Sequence, residues 1–339
     1  MEAIHERLLA WFDAHKRNLP WRGVGDPYAV WISEVMLQQT RAAFVAPFYR
    51  RWMERFPDVG ALADADLEEV LRLWRGLGYY ARARNAHRCA RKVRDGHGGV
   101  LPSSAAGLRA LPGIGPYTAA AVASIAFGEA VPAVDGNVRR VVARLFDLPD
   151  PSLARARDLA AGLLDRTRPG DFNEAMMELG ATVCTPRSPK CGACPLAADC
   201  RARAAGTAAE RPLRRRRRPV STRTWDVQVA VSPQGRTLVV RRPREGLLGG
   251  MWEFPAVEVD DGADRGGRPM KVAEPAAGAA VELPAVTHRF SHFTAVYRPR
   301  RVEVAAEWGE AAGRWVTPAE LADLALPVAQ QRIARAAGF

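Results

Sequence analysis

The chain has 339 residues, enough for two domains that each bury a core. With 48% hydrophobic and 25% charged residues it belongs to neither the disordered nor the fibrous class, and its most apolar stretch, Thr118 to Phe127, is too short to span a bilayer. An excess of 49 basic over 37 acidic residues gives a net charge of +12, which favours polyanionic partners because neutralising phosphates releases condensed counterions.

The N-terminus, Met1 to His15, alternates charged and apolar residues and has no apolar signal core, so a cytoplasmic protein is expected. Ile4, Leu8, Trp11 and Phe12 form an apolar stripe at helical spacing, and helical patterning continues to about Arg203, broken at short intervals by Gly and Pro. Glu34, within Trp31 to Thr40, has Val30, Trp31, Met36 and Leu37 as helical neighbours. A glutamate there is either paired with an arginine or desolvated, and desolvation would raise its pKa far enough for work as a general acid.

Leu111 to Thr118 reads Leu-Pro-Gly-Ile-Gly-Pro-Tyr-Thr, a glycine hairpin opening a helix. Gly113 and Gly115 let the backbone approach a surface, and the N–H groups around Thr118 could face a phosphate; the alternative is a plain interhelical turn. Asp135 stands before the apolar helix of Val138, Val141, Val142 and Leu145. It could be a plain structural N-cap; the cap geometry would also hold its carboxylate ionised, as stabilisation of a developing sugar cation requires. Two carboxylates with opposed pKa tendencies are what glycoside cleavage uses.

Cys184, Cys191, Cys194 and Cys200 follow as C-x6-C-x2-C-x5-C, the expected ligands of one inorganic centre, zinc or iron–sulfur. Cys89 lies outside this set and receives no role. Arg211 to Arg218 holds six arginines in eight residues and reads as a linker. Beyond it the period becomes two. Trp225, Val227, Val229 and Val231 alternate, Pro233-Gln234-Gly235 turns the chain into Thr237 to Val240, and Tyr297, Val302 and Val304 suggest further strands. A capping box at Thr317 and Glu320 starts a helix, another follows Pro327, and Asp260 to Gly278 reads as a mobile loop.

Leu19-Pro20-Trp21-Arg22, Ser33 to Thr40, Gly76-Leu77-Gly78-Tyr79-Tyr80, the hairpin, Val134 to Arg140 and the cysteine loop together resemble adenine DNA glycosylases of the MutY type, in the endonuclease III superfamily. The resemblance implies a multidomain chain: an all-α helix-hairpin-helix glycosylase over 1–205, an Arg-rich linker over 206–222, and an α/β MutT-like (Nudix-related) domain over 223–339. It implies a 4Fe-4S cluster on the four cysteines and double-stranded DNA with adenine opposite 8-oxoguanine or guanine as partner, bound by a monomer. Glu34 then protonates the flipped adenine and Asp135 stabilises the sugar cation, with Tyr117 and Asn137 on the sugar side. Trp21, Arg22 and Glu174 match the adenine pocket, and Gln39 and Tyr79 match residues that wedge into the duplex.

Where bifunctional relatives carry a catalytic lysine, this chain has Tyr117, and no lysine lies between Lys92 and Lys190. Arginine cannot replace that amine, so a glycosylase that leaves the abasic strand uncut is expected. Gly249 to Pro255 and Phe290-Ser291-His292 resemble the family's C-terminal domain, where Ser291 would meet 8-oxoguanine. That half lacks a carboxylate-rich Nudix box, so it is expected to recognise rather than hydrolyse.

Overall fold

A computed structural model describes residues 2–213, 219–259, 280–307 and 313–339. The expected loop Asp260 to Gly278 and positions 214–218 of the arginine run lie outside them. Two units are formed, one from Met1–Asp64 and Asn85–Arg216, the other from Ala65–Arg84 and Arg217–Phe339.

In the first unit, helices α1 (Glu2–His15), α2 (Pro27–Leu37), α3 (Ala42–Arg55) and α4 (Val59–Asp64) precede the excursion into the second. Helix α5 (Leu67–Leu73) belongs to that excursion, and α6 (Ala81–His97) runs back into the first unit. There follow α7 (Ala105–Arg109), α8 (Pro116–Phe127), α9 (Gly136–Leu145), α10 (Leu153–Leu163), α11 (Pro169–Thr182) and the short α12 (Arg201–Ala204). Helices apolar all round must be buried. The innermost pair, α2 and α8, obey: Tyr28 to Met36 and Thr118 to Ser124 are buried throughout. Asp26 caps α2 through the N–H groups of Tyr28 and Ala29, with Pro27 at the first helical position. A second core joins Leu8 and Phe12 of α1 to Val138 and Val142 of α9 and to Phe172, Met176 and Leu179 of α11.

Gly113 takes φ +76°, and a Cβ there would stand 2.5 Å from the Cβ of Asn85. Gly113→Ala should therefore cost about 1–2 kcal/mol from the left-handed backbone alone, with displacement of Asn85 added. A melting temperature lowered by several degrees, with weaker retention of duplex DNA in a mobility-shift titration, is the expected result; an unchanged melt would contradict it.

The second unit is built on a mixed sheet: β1 (Ser221–Val231), β2 (Thr237–Arg241), β3 (Trp252–Glu253), β4 (Ala256–Val259), β5 (Val281–Glu282), β6 (Val286–Arg289), β7 (Phe293–Glu303) and β8 (Arg314–Val316). The expected hairpin of β1 and β2 forms, with Val231 opposite Thr237. The main partner of β1 is β7, parallel along all of Ser221–Val231. Alternation in the sequence suggests one buried face, but from Val227 to Val231 both faces are buried, Gln228 included: Val227, Val229 and Val231 pack into a core with Phe254, Leu321 and Ile333, and Ala230 into a second with Leu238, Val302 and Trp315. Helices α13 (Pro318–Asp323) and α14 (Val328–Ala336) close the chain, and Thr317 and Glu320 form the expected capping box.

Candidate active site and cluster loop

Glu34 sits on α2 and is 5% exposed, enclosed by the apolar positions that surround it in the sequence. Burial pushes its pKa up to about 7; the hydroxyl of Tyr117 opposes the shift, the charges of Glu174 and Asp135 add to it, and Arg22 opposes it. Tyr117, on the first turn of α8, places its hydroxyl 2.6 Å from Glu34 Oε2 and 3.0 Å from Met177 Sδ. Its single proton can serve only one of them. Burial beside Glu34 also raises the phenol well above its ordinary pKa, so it stays a neutral donor.

Asp135 is the N-cap of α9: one carboxylate oxygen accepts from the N–H of Val138 at 2.7 Å and the other from Asn137 Nδ2 at 2.8 Å. A cap alone would hold this carboxylate ionised, as the sequence leads one to expect. The pKa is instead raised, because burial outweighs the donors at Val138 and Asn137 and the charge of Arg140. Asn173 on α11 fixes the approach to Asp135, accepting from the N–H of Ala133 and donating to Val131 O and Ser124 Oγ. Gly180 on the same helix leaves room for Asn137, where a Cβ would stand 2.6 Å from that residue's Cβ.

Arg22 pairs with Glu174 at 3.1 Å and with Glu178 at 3.2 Å, its guanidinium over the Phe12 ring. Its Nη1 is buried with no hydrogen-bond partner among the described residues. Glu178, which sequence reasoning missed, also takes two bonds from the Arg17 side chain and one from its backbone. Those arginines hold its pKa below the ordinary carboxylate value despite burial. Its spacing four residues after Glu174, on one helix face, was a signal available in the sequence. Trp21 is buried edge-on against Tyr49.

The structure thus brings together Glu34, Tyr117, Asp135, Asn137, Arg22 and Glu174 in the first unit, and Trp21 lies in the same unit against Tyr49. Gln39 is exposed there with φ +57°. Gly115 caps α8 without a side chain, leaving first-turn N–H groups unbonded by a cap, whereas the Thr118 hydroxyl is buried and accepts from Gln38. Any contact of Thr118 with phosphate therefore falls to its backbone. Tyr79 and Ser291 belong to the second unit; Tyr79 is 47% exposed with φ +48°, and Ser291 is exposed between β6 and β7.

Residues 32–162 match the HhH-GPD superfamily of base excision DNA repair proteins, and 227–336 match the NUDIX domain. Solved structures similar to the chain include a thermostable thymine-DNA glycosylase (29% identity, TM-score 0.56, covering 60% of this chain and 96% of that one). A non-covalent endonuclease III–DNA complex is also similar (27% identity, TM-score 0.53, 62% and 95%). The human adenine DNA glycosylase is 36% identical over 98% of this chain and 73% of its own length, and that of Mycolicibacterium smegmatis 47% identical over 63% and 74%. The chain belongs to the adenine DNA glycosylase family.

It is accordingly a DNA glycosylase, and residues 184–200 match the iron–sulfur binding domain of endonuclease III, from the first cysteine of the loop to the last. Cys184, Cys191, Cys194 and Cys200 are unpaired thiols, half-buried around one cavity that Arg144, Lys190 and Arg203 also line. All four thiols line that one cavity, where they would hold the 4Fe-4S cluster that the matched iron–sulfur domain implies. Cationic lining suits its negative charge. Arg144, 2% exposed on α9, donates to Cys184 Sγ at 3.2 Å and to Thr185 O at 2.8 Å. Arg140, one turn earlier, donates to Asn137 Oδ1, Gly180 O and Cys184 O. The helix that Asp135 caps is thereby tied to the cluster loop, through two arginines whose i, i+4 spacing was legible but whose partners were not.

Proposed function

We propose that this protein removes adenine paired with 8-oxoguanine or guanine from duplex DNA, as a monofunctional glycosylase. The observation that carries the reading is the buried pair of carboxylates, one with its pKa near neutrality and bonded to a tyrosine, the other at a helix N-terminus. Adenine leaves the base stack to reach them. Tyr117 donates to Glu34 Oε2, which leaves the acid proton on the other oxygen, directed to the base. Proton transfer from Glu34 to the purine ring makes adenine a neutral leaving group, and the electrons of the breaking C–N bond go to it. Asp135, with both carboxylate oxygens accepting from Val138 N–H and Asn137 Nδ2, acts in its ionised form on the cationic sugar that remains, and water completes the hydrolysis. The unbonded Nη1 of Arg22 and the carboxylate of Glu174 supply a donor and an acceptor for the base.

The cysteines Cys184, Cys191, Cys194 and Cys200 hold the cluster, whose role is to shape the basic loop. Gln39 and Tyr79 enter the duplex, and Ser291 meets the base opposite adenine. Their exposure and the left-handed backbones of the first two support this, since strained exposed residues gather at functional surfaces. The test is chromatography of bases freed from duplexes that differ only opposite adenine. Free adenine from 8-oxoguanine and guanine pairs, with little from thymine pairs, is expected; release of a pyrimidine, or equal release from all three, would overturn the proposal.

A further inference from the structure

The segment that carries Tyr79 lies in the helical half of the sequence yet packs as part of the second unit. Both ends of it are tied to that unit. On the N-terminal side, the indole N–H of Trp252 donates to Glu68 Oε1 on α5 at 2.8 Å, and Arg241 stands 3.9 Å from the same carboxylate. Arg75, just past α5, donates to the carbonyl of Ala322 at 2.9 Å. At the other end, Arg84 in the first turn of α6 donates to the carbonyls of Gly249 (2.8 Å) and Gly246 (3.4 Å). Gly249 is itself locked in place, since a Cβ would stand 2.5 Å from the carbonyl oxygen of Arg244.

Between these anchors the loop is internally braced. Trp74 donates to Gly78 O at 3.0 Å, and buried Arg82 donates to the carbonyls of Leu77 and Gly78, both at 3.1 Å. The Arg82 guanidinium lies 5.2 Å from the Trp74 ring and 5.5 Å from that of Tyr79. An exposed tyrosine with left-handed backbone is unfavourable by itself and persists only where its surroundings dictate it.

We infer that Gly249–Trp252, a motif to which the glycosylase chemistry gives no task, is the seat of the Tyr79 loop, and that Trp252 and the Gly249 carbonyl are positioning groups for Tyr79. The consequence for catalysis rests on the reading of Tyr79 as a duplex wedge; the seat itself does not. A domain that contacts the opposite base would then also set the tyrosine that opens the stack.

Trp252→Phe keeps an aromatic ring and removes the N–H. In the full-length protein it is expected to speed hydrogen exchange of the amides in residues 75–84 by about five- to tenfold, the worth of one hydrogen bond. Single-turnover excision from an adenine:8-oxoguanine duplex should slow by a similar factor, and the same change should add nothing in a Tyr79→Ser background. Arg84→Gln, at the loop's other end, should give the same pattern and guards against a folding defect peculiar to Trp252→Phe. Unchanged exchange in 75–84 for both variants would overturn the seat. A slowing by Trp252→Phe that is equal in the parent and in the Tyr79→Ser background would overturn the assignment of Trp252 as a positioning group for Tyr79. Faster exchange combined with a Tyr79→Ser change that leaves excision untouched would keep the seat and remove the wedge role of Tyr79.

Discussion

Glu34→Gln is expected to bind a mispaired duplex as the parent protein does and to release adenine about 10²–10⁴ times more slowly, the usual worth of a positioned general acid. The amide keeps the shape of the side chain and can still accept from Tyr117, so binding and folding have no reason to change. What is lost is the proton. The parent enzyme should show the same dependence in its pH profile. Glu34 must be protonated to act, and its pKa is raised to about 7, so single-turnover rates should fall as pH rises through that point; on the acid side they should fall again where Asp135, which must be ionised and whose pKa burial raises, takes up its proton. The sign follows from burial: taking the carboxylate out of water disfavours the charged form, which extends the protonated range upward. A parent rate that climbs through neutrality, together with undiminished turnover by the Glu34→Gln variant, would remove Glu34 from the acid role.

Asp135→Asn separates a cap from a charge. Asparagine is as good an N-cap as aspartate, so its carbonyl can keep the bond from Val138 and α9 should stay intact. The bond from Asn137 Nδ2 would be lost if the new amide faced it, at about 1 kcal/mol. Against that small structural change, removing the negative charge facing the sugar should lower excision by about 10²–10³ or more, the magnitude seen when a single preorganised electrostatic group is removed. A thermal melt and a single-turnover rate measured together decide the matter. Loss of rate in proportion to a collapse in stability would return Asp135 to a purely structural role.

What was legible in the sequence was local. The burial of Glu34 follows from apolar residues on every side of its helix, the Asp135 cap from an aspartate ahead of an apolar repeat, and the cluster loop from four cysteines in seventeen residues. What escaped depended on distant partners. Glu178 is a mid-helix glutamate until Arg17 and Arg22, more than 150 residues away, arrive to meet it. The parallel pairing of β1 with β7 joins strands with no turn between them to announce it. The direction of the Asp135 shift escapes a reading of sequence because a cap is visible there and depth of burial is not. The attachment of residues 65–84 to the second unit likewise rests on carbonyls at Gly249 and Ala322, which sequence patterns do not reveal.

The most direct test of the central claim is a single-turnover reaction on end-labelled duplex with one adenine opposite 8-oxoguanine, sampled with and without alkali. Under the proposed reading Tyr117, whose phenol donates to Glu34, takes the position of the amine that a lyase would need. Breaks at the adenine position that appear only after alkali are therefore expected. Breaks of equal yield without alkali would contradict the monofunctional mechanism, and no breaks in either sample, from protein with its cluster absorbance intact, would contradict adenine excision itself.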